Sequence, residues 1–224
     1  VWAILDPAAI IVLLVFLHGY IRGGTDPASS VEFFFWPVWA FFLFSQPVNA
    51  ANGAVSASKG LMSYRQIQPL DVILARALID WSLLLLVGVV AVVGWWLAGF
   101  SVHIADPLGI AIYPLCLLFL ALGYGVMSEI ASTVFPDMRR VLAIVMRPLL
   151  FISGLFFTMD MVPPEAQPWL FWNPVLHLVD LMRGAATSDY TSPGSPVYAL
   201  FCAGGISLIG MALYHYYHDV IQQP

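Results

Sequence analysis

The sequence predicts an all-α fold: a polytopic membrane protein with six transmembrane helices and short re-entrant helices between the fifth and sixth. Three observations predict it. Of 224 residues, 61% are hydrophobic and only 9% are charged, against about a quarter charged in a soluble domain. The apolar residues gather into runs of about 20, the length that crosses a hydrocarbon core as a helix. The Lys and Arg residues, eight in all, favour alternate connections, the asymmetry that orients a polytopic chain.

The runs cover 1–21, 33–56, 72–100, 108–134, 141–159 and 197–217, so that 1–224 reads as one membrane domain. Lys59 and Arg65 sit in the second connection, with Arg76 just after it; Arg139 and Arg140 sit in the fourth, with Arg147 just after it. The first, third and fifth connections hold only Arg22 and Arg183, beside Asp26, Glu32, Asp106, Asp160, Glu165 and Asp189. The basic connections are therefore expected in the cytoplasm, and both termini with them. The aromatic clusters 33–36, 95–96 and 214–217 fit interfacial belts.

The fifth connection is the least ordinary part of the chain. Pro163, Pro164 and Pro168 break any helix, because each lacks an N–H and clashes with the preceding turn. The residues that follow, from Trp169 through Met182, are too apolar for a solvated loop. One or two short helices dipping into the outer leaflet satisfy both facts, provided protein or a water-lined cavity meets their backbone groups. Asn173 suits the cap of a helix opened by Pro174, and Gly184 suits its stop. His177, Asp180 and Arg183 then share one face. Together with Trp169 and Trp172 they are expected at the outer mouth of the bundle, as a gate or as a rigid plug.

Several chemistries have no motif here. The single lysine, Lys59, lies between Ser58 and Gly60 and so forms no phosphate-binding loop. HExxH, CxxC and GxSxG do not occur. Cys116 and Cys202 each lie inside an apolar run and read as core residues. His215 and His218 share a face near the end of the last run, as an interfacial polar edge or, less economically, a metal site; no metal is expected. An intramembrane enzyme acting through His177 and Asp180, such as a lipid-modifying transferase, would need more convergent polar groups. A passive channel would need no energy-supplying partner.

Arg76, Asp80, Glu129 and Arg147 lie inside the apolar runs. Asp80, Glu129 and Arg147 each sit roughly 10–13 Å along a helix from the nearest cytoplasmic connection. An isolated charge at such depth costs at least about 2.5–3.5 kcal/mol, so Asp80 and Glu129 are expected to pair with Arg147 and Arg76, either to fix packing or as a polar cytoplasmic gate. The segment 56–71 is short, basic and amphipathic. Its Lys59, Leu61, Met62, Tyr64, Arg65 and Gln66 suit a helix lying on the membrane surface or a docking site for a cytoplasmic partner. Aromatic residues recur on the first run (Trp2, Phe16, Tyr20), the second (Phe33 to Phe44, Trp36 included) and the fifth (Phe151, Phe156, Phe157). Lipid-facing packing explains most of them. A path lined by such rings, with Asn49 and Asn52 adding polar contacts, also suits a polysaccharide, which stacks on aromatic faces without being held at one site.

Six spans, the basic second connection and SGLFF…VPP…NPVLHLVDLMRG, with Ser153, Gly154, Phe156, Phe157, Pro163, Asn173, Pro174 and Arg183, resemble the membrane subunit of ABC-2 type exporters. Within that family, WAILDP and SYRQIQPLD followed by ILARALID are similar to the inner-membrane permease that exports capsular polysaccharide in Gram-negative bacteria. The resemblance implies a homodimer in the bacterial inner membrane bound to two copies of a separate ABC ATPase subunit, which binds ATP and Mg; no cofactor is implied for this chain. It implies a lipid-linked polysaccharide threaded between the two permeases, a periplasmic polysaccharide co-polymerase and an outer-membrane polysaccharide exporter as partners, and no nucleic acid. Other members export O-antigen, teichoic acid or lipo-oligosaccharide, and these are the nearest alternatives. Family members carry an amphipathic cytoplasmic helix before the first span; this sequence begins at Val1 without one, so residues are expected to be missing ahead of it.

Overall fold

A computed structural model describes residues 9–10, 13, 27–60, 66–99, 104–188 and 190–222. Among the described residues the regular structure is all helical, with no strand. The order is α1 Pro27–Ala51, α2 Ala54–Ala57, α3 Pro69–Leu97, α4 Pro107–Val134, α5 Met138–Ile152, a 3-10 turn Met159–Met161, α6 Gln167–Leu170, α7 Pro174–Ala186 and α8 Pro196–Gln222. Among the described residues three helices are long and apolar enough to cross a membrane: α3, α4 and Pro196–His218 of α8. The first predicted span falls almost wholly outside the described residues.

Proline sets most of the helix starts. It opens α1, α3, α4, α7 and α8, where its missing N–H has no intrahelical partner to lose. Side chains cap the next donors. Asp106 accepts from the Leu108 N–H at 3.1 Å, and Asp71 accepts from the Gln68 N–H at 2.9 Å in the first turn of α3.

Helix α1 is the innermost element, packed by α3, α4 and α7. Its aromatic run is core, and the expectation of lipid-facing or interfacial rings fails for this helix: Phe34, Phe35, Trp36, Trp39, Phe41, Phe42 and Phe44 are all buried. The physical reason is close packing. Lipid tails are as apolar as the helices, so association rests on van der Waals fit between large rings and small residues. Trp39 shows it. A Cβ on Gly88 would stand 2.2 Å from the indole, and the indole N–H donates to the Leu84 carbonyl at 2.8 Å. Helices α4 and α8 cross as tightly: a Cβ on Gly123 would meet the Ile206 backbone at 2.7 Å, and one on Gly210 the Gly123 carbonyl at 2.8 Å. The outer faces stay apolar, with Ile79, Leu86, Val90, Phe201 and Leu208 exposed.

Helix α5 is shorter than the predicted fifth span. It stops at Ile152, not at Met159, and its 15 residues rise roughly 22 Å, less than a hydrocarbon core of about 30 Å. Gly154 takes φ 77, the left-handed turn that ends helices, and the Ser153 hydroxyl donates back to the Leu149 carbonyl at 2.6 Å.

The fit between Trp39 and Gly88 is testable. Gly88→Ala should lower stability in detergent by about 1–3 kcal/mol. Gly94→Ala, on the same helix, adds a Cβ that would meet nothing within 4 Å and should keep the thermal midpoint or raise it slightly, since alanine favours the helix over glycine. Equal losses at both positions would contradict the packing described.

Candidate functional site

Polar side chains concentrate at the two ends of the bundle: the end that carries α7, which the sequence predicts to be the outer one, and the end that carries Gly53 and Glu129, predicted to be the inner one. At the outer end the chain leaves α5, passes the 3-10 turn and α6, and enters α7, which packs among α1, α4 and α8. Because α7 is enclosed, His177, Asp180 and Arg183 point into the subunit, and Arg183 is 1% exposed.

Arg183 acts on the end of α5. Its guanidinium donates to the carbonyls of Phe157 at 3.0 Å, Gly154 at 2.8 Å and Leu155 at 3.3 Å. These belong to the turn that follows α5, where carbonyls lack helical partners. The Phe33 ring of α1 lies 4.6 Å from the guanidinium carbon, a cation–π contact. Asp180 supplies the opposite charge at 3.9 Å. It also accepts from the Tyr190 hydroxyl at 2.8 Å and from the Ser192 hydroxyl. Burial first, and then the Asp180 charge, push the Tyr190 phenol well above the usual tyrosine range. The folded state therefore keeps a proton that the unfolded chain releases, and stability falls as pH climbs above about 10.

His177 is fully used. Its Nδ1 accepts from the Ser195 N–H at 3.0 Å and its Nε2 donates to the Phe171 carbonyl at 2.9 Å, which fixes the neutral Nε2–H tautomer. The ring sits between Phe171 and Tyr198. Asn173 caps α7 by accepting from the Val175 N–H at 3.0 Å and donates to the Ser153 hydroxyl at 3.1 Å. His177 and Asp180 thus hold α7 to the chain on either side of it, through Phe171, Ser195, Tyr190 and Ser192. Among the described residues no group of three metal-ligating side chains forms. Trp169 and Trp172 lie on the outside, 80% and 78% exposed.

At the inner end Glu129 of α4 is 0% exposed. It accepts from the Gly53 N–H and, at 3.0 Å, from the Val55 N–H. Glu129 does not pair with Arg147 or Arg76; Asp80 feels the charge of Arg76 one turn earlier on α3 but closes no ion pair with either arginine. The ion pairs among the described residues are Arg140–Asp137 and Arg183–Asp180, and Arg147 and Arg76 are exposed. The reason is that Gly53, with φ 87, breaks the chain between α1 and α2 and turns two backbone donors inward to meet the carboxylate, with the Arg139 guanidinium beside Gly53. Beside it the Ser132 hydroxyl donates to Asn52 at 2.8 Å.

The other predicted site residues scatter. Lys59, Gln66 and Asn49 are exposed and Asn52 is half-buried. Trp36 is buried in the core. Phe151 is exposed and stacks on half-buried Phe156 at 5.1 Å, with Phe157 half-buried beside them. Trp2, Phe16, Tyr20, Leu61, Met62, Tyr64 and Arg65 lie outside the described residues. Sequence reasoning missed Tyr190, Ser192, Ser195 and Tyr198 at the outer end and Gly53 at the inner end, and read Phe33 only as one of the aromatic run. Gly53 alone carried a signal, as a glycine next to Asn52 at the end of an apolar run.

No family model matches the chain. Among curated proteins it is 35% identical to the polysialic acid transport protein KpsM of Escherichia coli, over 95% of this chain and 83% of that protein. The chain belongs to the KpsM family of capsule polysaccharide export proteins. It is also 25% identical to the capsule polysaccharide export inner-membrane protein CtrC of Neisseria meningitidis, over 95% of this chain and 81% of CtrC. A third relative, the capsule polysaccharide export inner-membrane protein BexB of Haemophilus influenzae, is 25% identical over 84% of this chain and 71% of BexB. All three likenesses take in most of the KpsM-type bundle described above, and the two proteins named for capsule export are also named for the inner membrane.

Arg183→Lys tests the outer cluster. A lysine keeps the charge but is a point donor and cannot span three carbonyls. It should lower stability by about 1.5–3 kcal/mol, read as the thermal midpoint of the detergent-solubilised protein, with Arg183→Ala lowering it further. A midpoint unchanged by Arg183→Lys would show that the charge alone matters there.

Proposed function

We propose that this chain is the inner-membrane permease subunit of an ATP-driven exporter of capsular polysaccharide. The observation that carries the reading is the identity to KpsM across nearly the whole chain, with CtrC and BexB named for the same process. The apolar outer faces of α3, α4 and α8 suit a bilayer, and the sequence offers no loop for nucleotide phosphates.

In this reading two copies of the chain enclose the path, each with six spans and both termini in the cytoplasm, and two copies of an ABC ATPase bind ATP and Mg below them. The segment 56–71 meets the ATPase. A lipid-linked polymer moves between the two permeases past Phe151, Phe156 and Phe157 and the aromatic side chains of the first span. It is passed on to a periplasmic co-polymerase and an outer-membrane exporter. The turn between α5 and α7, with α6, dips into the outer leaflet as a re-entrant segment; its prolines and its exposed Trp169 and Trp172 support this, because tryptophan favours the membrane interface. The moving part of the outer mouth is this 158–172 segment rather than α7, whose buried contacts hold it to the bundle.

Deleting the gene in its host should abolish surface capsule while polymer accumulates inside the cell, and a plasmid copy should restore it. Normal surface capsule in the deletion strain would contradict the reading.

A further inference from the structure

A cavity of about 300 Å3 opens at the outer end of the bundle. The last turns of α7 supply Leu181 and Ala185 to its wall, the start of α4 supplies Asp106 and Tyr113, and the stretch after α7 supplies Tyr190 and Thr191. Gly109 lets these walls come together. A Cβ there would stand 2.5 Å from the Asp106 carboxylate, 2.7 Å from the Tyr113 ring and 3.1 Å from the Ala185 methyl. The arrangement is fixed by the main chain as well: the Asp106 N–H donates to the Ala185 carbonyl at 2.8 Å, which ties the start of α4 to the last turn of α7.

The polar groups around the cavity divide in two. The hydroxyls of Tyr190 and Ser192 donate to Asp180, and that of Thr187 donates to the Arg183 carbonyl; these serve the buried cluster. Asp106 and Tyr113 do not. Asp106 is exposed. Its Oδ1 caps α4 by accepting from the Leu108 N–H, while its Oδ2 takes no hydrogen bond from the described residues. The Tyr113 hydroxyl makes none with them either.

A few polar groups set in a partly apolar hollow are the usual makings of a small-ligand site, and these select a sugar. A carboxylate accepts short, strong hydrogen bonds from hydroxyl donors. A phenol hydroxyl both donates and accepts. Leu181, Ala185 and the tyrosine ring offer carbon surface to the C–H groups of a pyranose. No lysine, arginine or histidine lines the cavity, so a ligand with its own carboxylate or phosphate would meet only the Asp106 charge, and like charges repel.

We propose that this cavity binds one uncharged pyranose unit of the emerging polymer, with Asp106 and Tyr113 as the binding residues, and that Asp106 disfavours units that carry a carboxylate. The polymer as the source of that unit rests on the export reading; the preference for an uncharged sugar rests on the cavity alone. The diol of a phosphatidylglycerol headgroup has related hydroxyl chemistry, but its phosphate would meet the same repulsion.

The test uses the full chain in phosphatidylcholine nanodiscs. The probes are the methyl glycosides of glucose, galactose, mannose and N-acetylglucosamine, with methyl glucuronide as the charged counterpart, and binding is read by saturation-transfer NMR titration. At least one uncharged glycoside should bind, and the glucuronide about tenfold more weakly. Asp106→Asn keeps the α4 cap, since asparagine caps as well as aspartate. It should weaken the uncharged glycoside about tenfold and abolish the discrimination against the glucuronide. Tyr113→Phe keeps the ring, so it should weaken the same glycoside about fivefold and leave the discrimination intact. Binding of no uncharged glycoside, equal binding of the glucuronide, or unchanged binding in either folded variant overturns the proposal. Loss of glycoside binding in phosphatidylglycerol nanodiscs assigns the cavity to a headgroup and overturns it too. A host capsule built without any uncharged sugar would strike the polymer as the ligand. None of the binding readouts depends on export, so their failure leaves the permease assignment standing, whereas normal surface capsule in the deletion strain would remove that assignment and the polymer with it.

Discussion

The outer half of this protein depends on one buried guanidinium. Helix α5 ends early, at Ile152, and leaves carbonyls that the surroundings of an apolar bundle cannot solvate. Arg183 reaches three of them at once. No other side chain presents several donors in a fixed plane at the end of a long stem. Once that group is committed, other features follow. Asp180 must lie near it to offset the charge, Tyr190 and Ser192 must satisfy Asp180, and α7 must sit inside the bundle instead of over it. Asn173 and His177 then fasten the start of α7 to Ser153 and Ser195.

The inner end uses the complementary device. There the ionisable group is an acid, Glu129, and the groups it meets are backbone N–H donors freed by the break at Gly53. Both ends follow the same rule: where a helix stops in an apolar setting, a buried charge of the right sign meets the exposed backbone groups. A lone arginine–carboxylate pair would satisfy neither end, because each would still leave main-chain groups without partners.

Much of the outer cluster is legible in the sequence. The prolines announce the break, Asn173 and Pro174 announce the start of α7, and the spacing of His177, Asp180 and Arg183 places them on one face. The starts of α3, α4 and α8 are legible because proline marks them. What cannot be read has a common cause. Hydrophobicity does not tell a lipid-facing ring from a core ring, so α1 reads as an ordinary span, although Trp36 is 4% exposed. Main-chain donors and acceptors have no sequence signature, so Glu129 reads as needing Arg147 when two peptide N–H groups suffice. Likewise the end of α5 depends on a hydroxyl and a glycine, Ser153 and Gly154, within a run whose hydropathy does not change. Tyr190 and Ser192 lie in an irregular stretch where only the fold brings them to Asp180.

The central claim is that Arg183 holds α7 in the bundle as a fixed element, so that movement at the outer mouth is confined to the segment before it. Amide hydrogen exchange on the proposed complex with its ATPase in nanodiscs, with and without ATP turnover, tests this most directly. Amides of α7 should stay protected in both states, while those of the 158–172 segment exchange faster during turnover. Exchange in α7 that rises together with that segment would contradict the claim and make α7 part of the moving gate.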